Sequence, residues 1–393
     1  MIHLVRLILV ALPIAVALFV VVEHYPEPRD AMQRGASWLS DETAPEVEAD
    51  LPPGYVRGLM PVRIALKDES GAKIKSLTVD GNPFPAAETF EIDTAHLPDG
   101  GHTLMIEAVD LSRQENSSQR SFSFRTDNTP PKVTVQIDPP KVGQGHTVSI
   151  RISSSEPVTL TGTLEGQSLT LSPLDGRFWT VAGFDADSRV GPRSLNLAAV
   201  DKVGLQITVQ IPITVTRVDY PTESLEIPED RSDLLDPAVA NAEIAFLDKV
   251  YAALTAEKLW SGSFAIPALA ETSSPFAISR SYNGGPMGGH HGGMDIAANE
   301  GVPVAASNRG RVAVAEPLKV RGNVVILDHG MGVYSAYFHL SQIRVQKDQM
   351  IEKGQIVGLV GNTGLSTGAH LHWEMRVTGA AVDPLEWTAR TIP

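Results

Sequence analysis

Gly368-Ala369-His370-Leu371-His372-Trp373-Glu374-Met375-Arg376-Val377 decides the fold of the C-terminal third of this chain. Its period of two predicts a strand with Leu371, Trp373, Met375 and Val377 on one face and His370, His372, Glu374 and Arg376 on the other. The first face belongs in a core, and the second carries two imidazoles. A second stretch, Gly289-His290-His291-Gly292-Gly293-Met294-Asp295, sets a histidine and a carboxylate four residues apart. The glycines on both sides of His291 disfavour a helix, so this is not the helical His-Glu-x-x-His arrangement. It reads as a loop entering a strand, with the aspartate on the strand. His339 follows the apolar run Val333 to Phe338. The chain has no cysteine, so any metal must be held by imidazole and carboxylate, a mixture that zinc accepts. Six histidines fall after Trp260, and four of them enter this arrangement. The other two are His290 and His329, the latter expected in a turn. Spacing alone leaves open which of His370 and His372 would bind a metal.

Outward from this region, 393 residues predict two or three domains. A formal net charge of -14 speaks against nucleic acid as a partner, which would need clustered Lys and Arg. The 33 glycines and 28 prolines, among many Val, Thr and Ile runs, favour short strands and turns. Leu7 to Val22 is an uninterrupted apolar run, preceded by Arg6 and followed by Glu23, Glu27 and Asp30. It predicts an uncleaved transmembrane signal anchor over residues 1–24, with the N-terminus inside and the body of the chain outside. Residues 25–50 read as a juxtamembrane spacer.

Residues 51–129 and 130–221 alternate short strands with turns and predict two β-sandwich modules. Expected strands include Val62–Leu66, Leu104–Ala108, Val148–Ile152 and Leu169–Leu171. A weak repeat aligns Thr103–Asp110 with Ser194–Asp201. Asp110 and Asp201 read as turn-forming acids at strand ends, with calcium ligation the less favoured alternative. The cadence Leu97-Pro98-Asp99-Gly100, Val109-Asp110, Asn128-Thr129-Pro130-Pro131 resembles bacterial immunoglobulin-like domains. Such modules serve as stiff spacers or bind a protein partner or wall polymer. Residues 222–260 form a connector containing one amphipathic helix. Asp236-Pro237 begins it, and Ala240, Ile244, Leu247, Val250, Tyr251 and Leu254 form its expected apolar face. That helix packs against the C-terminal domain, 261–393, or lies over its groove. In the second case the fragment from residue 260 onward is expected to be the more active.

The motifs His291-Gly-Gly-Met-Asp295, Asp328-His329-Gly330, Tyr337-Phe-His339-Leu340 and Gly361-Asn-Thr-Gly364 leading to His370-Leu-His372 resemble the lysostaphin-type, or LytM-domain, zinc metallopeptidases. That resemblance covers about Phe264 to Trp387. It implies a mainly β chain whose C-terminal antiparallel sheet carries a groove of the duplicated-hybrid-motif kind. It also implies one Zn2+ per chain held by His291, Asp295 and His372, with His339 and His370 handling protons. The substrate it implies is the stem peptides of peptidoglycan, with a D-alanyl–diaminopimelate cross-link preferred over a glycine bridge. The layout resembles single-pass inner-membrane proteins whose catalytic domain is periplasmic. The alternative is an inactive regulator of the same family that activates other wall hydrolases.

Overall fold

The computed structural model describes residues 41–174, 176–226 and 236–392. The expected membrane anchor and residues 25–40 of the spacer lie outside these. Among the described residues no helix is long and apolar enough to cross a membrane. The chain is mainly β and divides into two compact units, the first ending at Pro130 but also taking in Lys202–Leu205, the second comprising Pro131–Asp201 and the chain from Gln206 onward.

The first unit has a three-stranded sheet, Glu46–Asp50, Leu59–Lys67 and Thr89–Asp93. Its five-stranded sheet is built around Gly100–Asp110, which pairs with Ala72–Val79 and Ser117–Thr126. Met60, Val62 and Ile64 alternate inward from the first sheet and meet Leu104, Ile106 and Phe124 of the second in one core. Burial of that alternating face holds the two sheets together, at roughly 1.5–3 kcal/mol per large apolar side chain.

The second unit opens with another pair of sheets. The five-stranded one is centred on Gly191–Val200, and the four-stranded one contains Arg177–Phe184 between Ser172–Leu174 and His146–Ser154. The expected strand over Leu169–Leu171 is instead a break between Gln167–Ser168 and Ser172–Leu174. Arg177–Phe184, unforeseen, is buried on both sides. Phe178, Ala182 and Phe184 face the core of this sheet pair, whereas Trp179 and Val181 join the core beneath the C-terminal sheet.

That C-terminal sheet runs Glu271–Ser274, Met294–Ala297, Leu371–Val377, Val333–Leu340, Gly322–Gly330, Gly310–Leu318 and Met350–Ile351, every neighbouring pair antiparallel. Leu371, Trp373, Met375 and Val377 are fully buried on one face, in a core with Trp260, Phe264 and Trp387. The opposite face is partly covered by the Pro237–Tyr251 helix, whose Leu247 and Tyr251 pack on Val324, Ile326, Tyr334, Ala336 and Phe338. Asp236 caps the helix by accepting from the Ala238 N–H at 2.8 Å. Its inward face differs from expectation: Glu243 turns in with Leu247 and Tyr251, whereas Ile244 and Leu254 are exposed. Glu243 is drawn inward by donors, since it accepts from the backbone N–H of Val320 at 2.6 Å and from the Arg321 guanidinium at 3.1 Å. The connector also supplies the short strand Thr222–Leu225, which pairs in parallel with Ser279–Tyr282.

Candidate metal centre

Cross-strand register brings the centre together. Asp295 on Met294–Ala297 lies directly opposite His372 on Leu371–Val377. His291 lies just after the Met287–His290 strand, fixed by reciprocal backbone bonds to Ala277 and Ile278. Between His291 and Asp295 the chain crosses so close to the neighbouring strand that a Cβ on Gly293 would lie 2.3 Å from the Trp373 carbonyl oxygen. Glycine is required there by space alone.

Asp295 Oδ1 lies 2.8 Å from His372 Nδ1 and 3.2 Å from His291 Nε2, and the two nitrogens are 2.9 Å apart. The outer ring nitrogens fix the tautomers. His291 Nδ1 donates to the Pro275 carbonyl at 3.0 Å, and His372 Nε2 donates to Glu374 Oε1 at 3.0 Å. Both inner nitrogens therefore present lone pairs beside a carboxylate oxygen. Lone pairs do not face one another at this distance unless a proton or cation lies among them. Donors around a tetrahedral ion with bonds of roughly 2.0–2.1 Å stand about 3.3 Å apart, so the trio fits a metal after small relaxation. These three residues form a buried group able to hold a metal ion.

Electrostatics agree with that use. Burial opposes ionisation of Asp295, but without a metal a proton on the inner nitrogen of His291 or His372, shared with the carboxylate, outweighs burial and holds the carboxyl far below the usual range. Burial lowers the pKa of His291, only partly opposed by Asp295. For His372 burial is overcome by the Asp295 and Glu374 carboxylates, which raise its pKa. A metal and a proton compete for that same Nδ1 lone pair.

His339 and His370 stand beside the trio, their ring centroids 4.9 Å apart. His339 Nδ1 donates to the Thr363 carbonyl at 2.8 Å and His370 Nδ1 to the Gly368 carbonyl at 2.8 Å, leaving each Nε2 with a lone pair. His370 Nε2 is 3.7 Å from Asp295 Oδ1. Burial pushes the pKa of His339 down to about 3 and also lowers that of His370, so both are neutral at neutral pH. His339 has φ +60, a left-handed conformation uncommon for a residue with a side chain and concentrated at functional sites. Both line a recess of about 280 Å³ with Arg280, Asp295 and His372.

All five expected residues thus converge. His290 points elsewhere, donating from Nδ1 to the Ala277 carbonyl at 2.6 Å. His329 is not in a turn. It is fully buried in Gly322–Gly330, bonded to the Arg309 carbonyl at 2.7 Å and to Ser335 Oγ at 2.8 Å.

Three further residues hold this trio in place. Glu374 accepts from His372 and from Arg376 Nε at 2.9 Å; burial opposes its ionisation, but Arg376 and His372 hold its carboxyl below the usual range. Arg280 donates from Nη2 to Asp295 Oδ2 at 2.5 Å and from Nε to Glu223 Oε1 at 2.6 Å. Outer partners of this kind fix the orientation of a ligand and raise its affinity. Glu374 was legible as a same-face neighbour of His372. Arg280 and Glu223 carry no local signal, because their pairing exists only once distant segments meet.

The sequence model of peptidase family M23 matches residues 289–384. Over 96 residues the chain is 42% identical to peptidoglycan DD-endopeptidase ShyA of Vibrio cholerae, covering 24% of this chain and 22% of that protein. Over 106 residues it is 36% identical to murein hydrolase activator NlpD of Salmonella dublin, covering 27% and 28%. A solved structure of the catalytic domain of lysostaphin from Staphylococcus simulans is 30% identical, with a TM-score of 0.28, over 30% of this chain and 92% of that one. The chain spans about a quarter of the length of the curated relatives it matches first, 25%, 22% and 22%. The C-terminal part of this chain is a peptidase family M23 domain of the LytM or lysostaphin type.

Proposed function

We propose that this chain is a zinc metalloendopeptidase that hydrolyses peptide cross-links of peptidoglycan. The observation that carries the reading is the convergence of three possible metal donors with two further neutral imidazoles, His339 and His370, which line one recess with Asp295 and His372. His291 Nε2, Asp295 and His372 Nδ1 would hold the ion. Bound there, zinc supplies Lewis acidity, polarising a scissile carbonyl and acidifying water to a pKa near ~7. His339 Nε2 and His370 Nε2 take up the proton of the attacking water and return it to the leaving amine. Their Nδ1–H bonds to Thr363 and Gly368 keep both rings in the orientation this requires. Arg280 and Glu374 hold Asp295 and His372 in place.

Cleavage of a D-alanyl–diaminopimelate cross-link, anchoring through the apolar run Leu7–Val22 and a periplasmic position for the catalytic domain belong to the same reading. In it the two sandwiches are immunoglobulin-like spacers that place the site at a distance from the membrane or engage a protein partner. The similarity to murein hydrolase activator NlpD favours a second reading, an activator without its own chemistry. The filled set of five residues weighs against it.

Mass spectrometry of muropeptides after digestion by the wild type, His372→Ala and His339→Ala tests the proposal. Loss of cross-linked dimers with the wild type alone is expected. Unchanged cleavage by both variants would overturn it, and no cleavage by the zinc-loaded wild type would favour the activator.

A further inference from the structure

A second set of oxygen donors meets at one end of the first sandwich. Asp41 precedes the first strand, Asp68 follows Leu59–Lys67 and Asp110 closes Gly100–Asp110. One carboxylate oxygen from each lies within 4.8 Å of the others. Asp110 and Asp41 are buried, only 1% and 8% exposed, and Asp68 is half-buried.

In each case Oδ1 is engaged locally. Thr43, Ser70 and Ser112 donate both backbone N–H and hydroxyl to the aspartate two residues earlier. Asp110 Oδ2 accepts from the Asn116 amide at 2.8 Å, and the same amide reaches the Asp41 carbonyl at 3.0 Å. Among the described residues, Asp41 Oδ2 is buried and accepts no hydrogen bond. The ion pairs in this sandwich, Lys67–Glu48, Lys75–Glu107, His96–Asp93 and His102–Asp80, involve none of the three.

A buried carboxylate oxygen without a donor is costly, and three carboxylates this close repel one another. A cation removes both penalties. The donors are all oxygen, with no imidazole or thiolate, which selects a hard ion. Metal–oxygen distances of roughly 2.3–2.6 Å allow ligand oxygens to stand up to about 5 Å apart. Ligands arriving from three separate turns suit the irregular coordination of calcium better than the rigid octahedron of magnesium. We propose that Asp41, Asp68 and Asp110 bind one Ca2+, with water completing its shell. The ion ties the entry of the chain into the sandwich to two loops at the same end.

The test uses the full chain with its zinc centre loaded. Asp201 holds the place of Asp110 in the internal repeat, so the number of ions lost on substitution is counted, not the total. Asparagine keeps an oxygen for the Thr43 and Ser112 bonds, so Asp41→Asn/Asp110→Asn retains the local turns. Flow dialysis should show one calcium fewer per chain in this variant than in the wild type. In calorimetry, calcium should raise a wild-type transition by about 5 °C or more and raise the variant's by clearly less. With a calcium chelator the variant should melt at or above the wild type, because a repulsion has been removed. Equal calcium stoichiometry, or an equal calcium-induced shift in both, would overturn the site. The same shift with magnesium at equal concentration would overturn its assignment to calcium. Should the double variant fail to fold, Asp68→Asn, at the half-buried position, should weaken calcium binding at least tenfold, and unchanged affinity would overturn the proposal.

Discussion

Replacing Glu374 by glutamine tests how the metal centre is held. Glu374 is 4% exposed and bridges His372 Nε2 at 3.0 Å and Arg376 Nε at 2.9 Å. Glutamine keeps one acceptor oxygen but loses the charge that favours the Nε2–H tautomer of His372 and turns its Nδ1 lone pair toward Asp295. Losses of this kind cost roughly 10–100-fold in metal affinity, or about 1.4–2.7 kcal/mol. Arg376, half-buried with its side chain 20% exposed, would also lose its carboxylate. The cost falls below the roughly 3 kcal/mol of a fully buried orphaned charge and is offset further by its position over the Tyr251 ring, 5.1 Å from the centroid. The assay is zinc competition against a chromophoric chelator, paired with calorimetry of the metal-free chain. We expect weaker zinc binding and a lower melting temperature, with the Asp295 side of the site intact. Zinc affinity within about twofold of the wild type, in a folded protein, would refute the assignment of Glu374 as the residue that orients His372.

Three other outcomes follow. His370→Ala should lower muropeptide cleavage by about 10²–10⁴-fold while the protein still binds one zinc, as measured by elemental analysis; loss of the metal would make His370 a ligand. His329, whose pKa burial pushes from 6.5 down to about 4, contributes stability that is fully present above about pH 6.5 and is lost as pH falls toward 4, up to about 3 kcal/mol. Denaturant titrations at several pH values should show a shallower acid loss in His329→Asn than in the wild type. Finally, a fragment starting at residue 260 should be less stable and bind zinc more weakly than the longer chain, because it lacks Glu223, Leu247 and Tyr251. A faster and equally stable fragment would instead favour the alternative that the connector lies over the groove.

Much of the centre was legible because strand alternation is a local signal. The run from His370 to Val377 assigned both its faces, and glycine density placed Asp295 at the start of a strand. Arg177–Phe184 escaped because both its faces are apolar and buried, one in each of two cores, so it shows no alternation between polar and apolar positions. The inward turn of Glu243 escaped for the opposite reason. A charged residue on an apolar stripe reads as solvent-facing until the N–H groups it satisfies, on Val320 and Arg321, are known. The left-handed backbone of His339 is set by tertiary packing and leaves no trace in residue order.

The reach of the connector into the centre has a consequence for anyone moving this domain between proteins. The family match begins at residue 289, a natural place to cut. A graft made there would leave behind Arg280 and Glu223, and Asp295 would arrive in its new host with its outer oxygen uncompensated. It would also strip the helix from the sheet, exposing Phe338 beside His372. The transplantable unit is therefore longer than the recognisable one: it starts no later than Thr222 and carries the helix with it.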